Sequence, residues 1–345
     1  DIVRKVRNTQ VLVDRRTARE AIIISDGSRD GTPALARSAA GDRVRVLEVP
    51  RRIGKEACLG LALQRTSAEL LVFTDVSTTL APDAIEQLVA AFDAPDVGCV
   101  SGTDQAGTRD RSGSLEGLYV QLEMWMRRGE ARAHSMISAS GCLFAARREL
   151  CLPWLPELTS DFAIPLRARR RGFRTVGAPG AVARYDLATD AAAEFARKVR
   201  TVAHGLAVVW HFRRLLDPFR HPFLAVQLVS HKLLRWLTPI LLVMVYLGTL
   251  ALAGTPSALL LAGALTGFGA LGLTGLMAGW GRGPMLVRLP AYLLVVNAAI
   301  LVGWCRFIRG DRFIAWDPSP RRSRAPRPDV GLERRPTTAG IRRRP

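Results

Sequence analysis

Cysteine is scarce and scattered in this sequence. Five cysteines occur among 345 residues, without a CxxC pair or a metal-ligand spacing to histidine. An odd, dispersed set argues against a disulfide framework or a zinc site and predicts reduced thiols facing the cytosol. Heptads, repeats of fixed period and recognisable DNA- or RNA-binding motifs are also missing, which argues against a coiled coil, a solenoid or a nucleic-acid-binding module.

Acidic residues are too few to balance the basic ones. Lysine and arginine number 49 against 30 aspartates and glutamates, a formal net charge of +19. Residues 305–345 alone hold twelve arginines against four acids. This Arg- and Pro-rich tail is predicted to be disordered because it has too few apolar residues to bury a core. Since it follows apolar stretches, an anionic membrane surface is its expected partner; nucleic-acid binding, supported by net charge alone, is not expected.

Charged residues almost disappear between residues 237 and 304, the predicted transmembrane region. Three apolar stretches lie there: Leu237–Gly254, Ser257–Gly279 and Met285–Trp304. The first two have about the 20 apolar residues that a spanning helix needs. The third contains Arg288 and Pro290 and can span, re-enter or lie in the interface; the positive-inside tendency of the tail favours two spans with the third stretch in plane. Upstream, in residues 215–236, Phe223–Trp236 is predicted to be an amphipathic helix along the headgroups.

Residues 1–214 have the composition of a soluble α/β domain. The run AIIISDGSRDGT predicts a buried strand, a polar turn and a helix start. Further strands are expected at Val44–Val49, Glu69–Asp75 and Val97–Gly102, and their alternation with helices predicts a largely parallel sheet covered on both faces. Asp26 and Asp75 then lie at the carboxyl ends of strands, where such sheets bind ligands.

Basic residues separate these two acids in the sequence. Arg51, Arg52 and Lys55 fit a bound anion. Mg²⁺ or Mn²⁺ prefers oxygen ligands and commonly binds one or two carboxylates together with substrate phosphates. The pattern therefore predicts a phosphate-containing ligand with a divalent cation.

An ordered set of motifs resembles the membrane-anchored family 2 glycosyltransferases. The motifs are SDGSRDGT, PRRIGKEACLGLAL, LLVFTDVST, VGCVSG, SASGCLFAARREL, LTSDFAIPLRARRRGFRTV and FARKVRT. The resemblance implies a GT-A domain, related to cellulose and hyaluronan synthases, followed by transmembrane helices. It also implies a nucleoside-diphosphate sugar as donor, most simply a UDP-sugar, a glycan or lipid-linked acceptor, and Mg²⁺ or Mn²⁺ as cofactor.

The resemblance assigns roles to three acids. Asp26 would contact the nucleoside of the donor, Asp75 would be the first acid of the metal-binding DxD motif, and Asp161 would be the catalytic base. Simpler interpretations remain open: Asp26 can be a turn former, and Asp75 can cap the next helix. Asp161 can also be a helix N-cap, which is compatible with catalysis.

Four further residues are assigned by the same resemblance. Arg197, Arg200 and Lys55 would face the diphosphate, and Gly141 would lie in the loop that shapes the acceptor site. Inverting sugar transfer needs a carboxylate to take the acceptor proton and positive charge on the departing diphosphate, which suits these residue types. Arg197 and Arg200 lie three apart on one helical face and can instead be solvated or membrane-facing.

Three departures from the family pattern shape the expectation. The second DxD acid is Ser77, so metal binding would rest on Asp75 and the phosphates. Thr201 replaces the tryptophan of processive synthases, which weakens a polymerising role. The family's first strand would precede residue 1, so the sequence is expected to be a fragment or to start late.

The sequence thus predicts a multi-pass inner-membrane enzyme whose catalytic domain faces the cytosol. Its expected reaction is sugar transfer to an acceptor hydroxyl in cell-envelope or exopolysaccharide synthesis. The alternative is a catalytically inactive membrane relative that binds nucleotide or scaffolds a synthase complex. Ser77 and the absent first strand favour that alternative, whereas Asp161, Arg197 and Arg200 together oppose it.

Overall fold

The computed structural model describes residues 2–15, 17–106, 115–185, 191–280 and 282–311. The strands are β1 (Ala21–Asp26), β2 (Val44–Val49), β3 (Leu70–Thr74), β4 (Thr79–Leu80), β5 (Val97–Ala106), β6 (Leu143–Arg147) and β7 (Arg174–Tyr185). The helices of the same half are α1 (Ile2–Asp14), α2 (Thr32–Ala39), α3 (Lys55–Leu63), α4 (Ala84–Ala90), α5 (Leu115–Ala133), α6 (Arg148–Cys151), α7 (Ser160–Arg170) and α8 (Ala191–His211).

The strands form two sheets, and the larger one is mixed. β1 and β2 pair in parallel as one sheet, and the other has the order β3-β6-β5-β7-β4. In it only β5 and β7 run parallel, while β6 is antiparallel to both β3 and β5. The prediction of a largely parallel sheet is therefore wrong for the five-stranded sheet. The polarity of strands joined by long connections is set by tertiary packing, which local alternation of strands and helices does not encode.

Apolar side chains cover the five-stranded sheet on both faces. Leu88, Val100 and Leu143 are buried in a cluster that includes residues of α1 and α4. Phe73 and Phe144 stack in a second cluster, with ring centroids 4.6 Å apart, together with residues of α3 and α7. Because strand side chains alternate between the two faces, both clusters draw on the same strands.

In the part of the chain that the structure describes, three helices after residue 221 are long and apolar enough to cross a membrane. They are Pro222–Ala251, Pro256–Ala278 (α11) and Met285–Ile308 (α12). The first consists of α9 (Pro222–Leu228), a π-helical turn (Val229–Leu233) and α10 (Leu234–Ala251). The amphipathic segment predicted along the headgroups is thus continuous with the first candidate span, because the π turn preserves the helix while shifting its register.

One apolar cluster links the α/β half of the chain, residues 2–214, to these helices. It contains Phe162 on α7 and Leu206 on α8 together with Leu228, Trp236 and Ile300. A Cβ atom added at Gly205 would lie 2.4 Å from the Trp236 ring, so only glycine leaves room for the indole. The core therefore continues across residue 214, the predicted boundary of the soluble domain.

Candidate active site

Four of the predicted site residues line one cavity. It has a volume of about 380 Å³, and Lys55, Asp161, Arg197 and Arg200 are among its lining residues. These residues come from α3, α7 and α8, which are far apart in the sequence. The cavity brings a carboxylate together with cationic side chains, as group transfer from a diphosphate requires.

Asp161 lies in the first turn of α7 and is fixed by its neighbours. Its carbonyl oxygen accepts a hydrogen bond of 2.8 Å from the Ala139 amide. A Cβ atom at Gly141 would lie 3.2 Å from Asp161 Oδ2. The loop that contains Gly141 therefore passes directly over the carboxylate, and a glycine keeps that approach open.

Asp75 follows β3 and is paired with Lys55. The Lys55 Nζ to Asp75 Oδ1 distance is 2.6 Å, and the side chains are 46% and 32% exposed. Lys55 Nζ also lies 3.4 Å from the Gly141 carbonyl oxygen. On the other side of the Asp75 turn, the buried Lys5 ammonium donates to Thr74 Oγ1 and to the Thr78 carbonyl, each at 2.9 Å.

Asp26 ends β1 and holds the loop that leads to Lys55. Its two carboxylate oxygens accept hydrogen bonds from the amides of Ile53 at 2.7 Å and Gly54 at 3.0 Å. Gly27 has φ +61°, and a Cβ there would lie 2.6 Å from the Arg52 amide nitrogen. Asp26 thus shapes the turn before Lys55, and neither it, Asp75 nor Gly141 lines the cavity itself.

Arg197 and Arg200 lie on α8. Arg197 binds Glu194 with an Nη2 to Oε2 distance of 2.7 Å, and the Glu194 side chain is only 1% exposed. Burial, and then the neighbouring Arg197 guanidinium, lower the pKa of Arg200. Two guanidinium groups close together at a cavity favour an anionic ligand there.

A divalent cation would have Asp75 as its protein ligand. The described parts of the chain contain no group of three or more His, Cys, Asp or Glu side chains able to hold a metal ion. Asp75 is partly exposed and its carboxylate meets Lys55, so a cation would share this oxygen donor with substrate phosphates. The donor set therefore fits a cation that arrives with the nucleotide.

Glu56 and Asp104 also line this cavity, and neither was predicted from the sequence. Glu56 Oε1 lies 3.3 Å from Ser160 Oγ, and the buried Oε2 has no hydrogen-bond partner. Burial raises the pKa of Glu56 to about 7, with Asp161 adding to the effect against the opposing Lys55. Burial likewise raises the pKa of Asp104, which accepts a short hydrogen bond from Ser140. Glu56 directly follows Lys55, but no local pattern marks it as buried.

A second cluster of charged residues that was not predicted from the sequence also lines the cavity. It is centred on Glu123 of α5, which lies 2.9 Å from Arg235, 3.4 Å from Arg127 and 3.6 Å from Lys232. Burial alone would raise the pKa of Glu123, but these cations and a hydrogen bond from His231 hold it well below its ordinary value. The cluster joins the catalytic half to the helix Pro222–Ala251.

Taken together, the fold and this site define a class of protein. A strand-end carboxylate paired with a lysine lies next to a cavity that is lined by a helix-borne carboxylate and two arginines, the residue types that a nucleotide-sugar transferase of the GT-A type needs. Comparison with known proteins agrees with this class. The model of the family "Glycosyl transferase family 2" matches residues 3–151.

Individual proteins give the same result. An N-acetylglucosaminyltransferase of Azorhizobium caulinodans is 28% identical over 197 residues, covering 51% of this chain and 49% of the relative. One of Sinorhizobium fredii is 26% identical over 181 residues, covering 47% and 43%. The chain thus spans about half the length of these relatives.

A solved structure extends the likeness of fold. A mannosyltransferase from Pyrobaculum calidifontis, in complex with GDP-Man and Mn²⁺, has a TM-score of 0.62 at 22% identity. The match covers 88% of this chain and 84% of that one. Residues 3–151 therefore match the family 2 glycosyltransferase model, and the predicted GT-A fold is confirmed.

Proposed function

We propose that this protein is a membrane-anchored, inverting glycosyltransferase. It moves a sugar from a nucleoside-diphosphate sugar to the hydroxyl of a glycan or lipid-linked acceptor, in cell-envelope or exopolysaccharide synthesis. The observation that carries the proposal is the shared cavity of Lys55, Asp161, Arg197 and Arg200. Three candidate spans support the multi-pass membrane anchoring in this proposal; the proposed location is the inner membrane, with the catalytic domain facing the cytosol.

Asp161 is the base in this proposal. The acceptor hydroxyl loses its proton to the Asp161 carboxylate while its oxygen forms a bond to the anomeric carbon from the opposite face. The bond from that carbon to the diphosphate breaks, and the diphosphate leaves with the electron pair. One base suffices because the nucleoside diphosphate is already a good leaving group.

The cations act on the leaving group. Arg197, Arg200 and Lys55 stabilise the charge that develops on the diphosphate, where fixed donors have the greatest effect. A divalent cation at Asp75 would supply further positive charge to the same phosphates. Asp26 holds the loop before Lys55 beside the nucleoside, and Gly141 keeps the acceptor side of Asp161 open.

The donor is proposed to be a UDP-sugar. The similar rhizobial proteins are N-acetylglucosaminyltransferases, so UDP-N-acetylglucosamine is the first donor to test. GDP-mannose is the second, because it is the ligand in the similar archaeal structure.

Release of nucleoside diphosphate by the full chain in detergent tests the proposal. Intact protein, Asp161→Asn and the exposed control Asp42→Asn are assayed across nucleotide sugars with Mn²⁺, Mg²⁺ or EDTA. We expect metal-dependent release by the intact protein and the control, and a loss of about 10²- to 10⁴-fold in Asp161→Asn.

Binding separates the enzyme from the inactive alternative, which Ser77 favours. Nucleotide affinity measured by calorimetry should be similar in intact protein and Asp161→Asn. Nucleotide binding without turnover on any donor would overturn the proposal in favour of an inactive relative.

A further inference from the structure

The outer face of α5 carries an apolar stripe in the catalytic half. Leu118, Leu122 and Trp125 are 47%, 52% and 66% exposed. Their spacing of four and three residues places them on one face of the helix. Among the described residues before position 200, these three are the only exposed large apolar side chains that share a helix face; Val11, Leu35, Val76 and Leu152 lie on other elements. Such clustering marks an interaction surface, whereas scattered apolar residues do not.

Basic side chains flank the stripe. Arg128 and Arg132 are exposed and lie one and two turns beyond it on the same side of α5. Trp and Leu on one face with arginines at its edge are the composition of helices that lie in a membrane interface. The arginines complement an anionic phospholipid surface.

The inner face of α5 is fastened to the first candidate span. His231 Nδ1 lies 2.6 Å from Glu130 Oε1, and Arg235 lies 2.9 Å from Glu123 Oε2. Arg235 also donates to the Tyr119 hydroxyl at 2.7 Å. These contacts fix the position of α5 along the axis of that span.

The length of the first candidate span indicates the depth in the membrane at which these contacts lie. The helix Pro222–Ala251 has 30 residues, and its apolar part, α10, has 18. Eighteen residues rise about 27 Å, close to the thickness of a hydrocarbon core, about 30 Å. If α10 fills that core, His231 to Arg235 lie at its boundary with the headgroups, and so does α5.

We propose that the outer face of α5 is a membrane-contact surface. Leu118, Leu122 and Trp125 lie at the boundary of headgroups and acyl chains, and Arg128 and Arg132 bind phospholipid phosphates. A groove of about 650 Å³, lined by Trp125 and Arg128 on one side and Gln227 and Ser230 on the other, continues this surface to the span. The inference rests on the membrane anchoring proposed above and does not depend on catalysis.

Fluorescence quenching by lipid tests this contact. Single cysteines are placed in the full chain in a Cys305→Ser background, labelled with bimane and reconstituted into nanodiscs, one chain per disc, with or without doxyl-labelled phospholipid. Leu122→Cys probes α5, Met244→Cys probes α10, and Leu35→Cys is a matched control on α2. Leu122 and Leu35 are 52% and 51% exposed, and Cys305→Ser without a new cysteine gives the background.

We expect at least twofold quenching at positions 122 and 244 and none at position 35. Quenching at 122 should weaken when anionic lipid is replaced by zwitterionic lipid. Quenching at 244 with position 122 behaving like position 35 would overturn the contact while leaving the anchoring intact. Loss of quenching at 244 as well would overturn both, whatever the enzyme assay shows; Trp125→Cys repeats the α5 measurement if Leu122→Cys misfolds.

Discussion

Two groups of charged residues meet the same cavity, one through Lys55 and the other through Glu123, and they differ in how far their ion pairs are buried. Lys55 and Asp75 form one short ion pair whose side chains are 46% and 32% exposed. Glu123 sits among several cations, and its side chain and that of Lys232 are 10% and 9% exposed. The Lys55–Asp75 pair is exposed to solvent, whereas the network around Glu123 is buried.

This difference in burial distinguishes residues suited to binding a ligand from residues that stabilise the fold. An exposed pair costs little to break, so a ligand can replace either partner. A buried carboxylate surrounded by cations is costly to disturb, because removing it leaves several desolvated charges uncompensated. We therefore interpret the Lys55 end as the place where ligand charges are exchanged, and the Glu123 end as the joint between the catalytic half and the helices.

Glu123→Gln should break the closed network. The substitution removes the carboxylate that Arg127, Lys232 and Arg235 share. We expect the free energy of unfolding to fall by about 3–5 kcal/mol. Unfolding in detergent by denaturant measures this. Glu48→Gln is the control, since Glu48 forms an even shorter pair with Arg37, 2.7 Å against 2.9 Å for Glu123 with Arg235, but on the surface; it should cost about 1 kcal/mol or less. Equal effects of the two variants would refute the distinction.

Lys55→Met should act on activity instead of stability. We expect kcat/KM for the nucleotide sugar to fall about 100-fold, because a charge facing the diphosphate is lost. Arg45→Met is a matched control: Arg45 pairs with Glu20 at 3.0 Å, with side chains 43% and 31% exposed. A Lys55→Met protein that keeps full activity would remove Lys55 from the donor site.

Glu56→Gln should change how stability depends on pH. Folded protein holds the Glu56 proton up to about pH 7, whereas the unfolded chain releases it near the ordinary value of 4.5. Between these values the folded state binds more protons, so the free energy of unfolding falls as pH rises. Gln cannot titrate, so the variant should gain about 3 kcal/mol relative to the intact protein between pH 4.5 and 8. Parallel pH curves would contradict the buried, protonated Glu56.

Gly141→Ala should give the smallest effect. The new methyl would lie 3.2 Å from Asp161 Oδ2, so the carboxylate must shift, and we expect kcat to fall about tenfold. Gly129→Ala is the control, because nothing lies within 4 Å of its Cβ position. In the interior of α5 it should stabilise by about 0.5–1 kcal/mol. Unchanged kcat in Gly141→Ala would show that the loop does not constrain the base.

Much of the catalytic half was predictable because its signals are local. A β-branched run before Asp26 and an apolar run before Asp75 predict strands that end at these acids; β1 ends at Asp26, and β3 ends at Thr74, directly before Asp75. Strand β7 was not predicted, since its sequence RTVGAPGAVARY contains glycine and proline and alternates poorly. Its place beside β5 depends on contacts between distant segments.

The site was predictable as a set of residue types, and its pairings were not. Asp161, Arg197, Arg200 and Lys55 follow from motifs, and the structure places them on one cavity. The hydrogen bonds of Asp26 to the amides before Lys55 involve residues 27 positions or more away. The π turn that directs His231 and Lys232 to Glu123 changes helix register without any local sequence sign.

The apolar cluster that crosses residue 214 has a practical consequence for producing this protein. A recombinant fragment ending there would lose Leu228, Trp236 and Ile300. It would leave Phe162 and Leu206 facing water, and bare apolar surface of this kind promotes aggregation. Soluble expression of residues 1–214 alone would therefore need polar substitutions on the surfaces of α7 and α8. In the longer chain, the helices after residue 221 cover these surfaces.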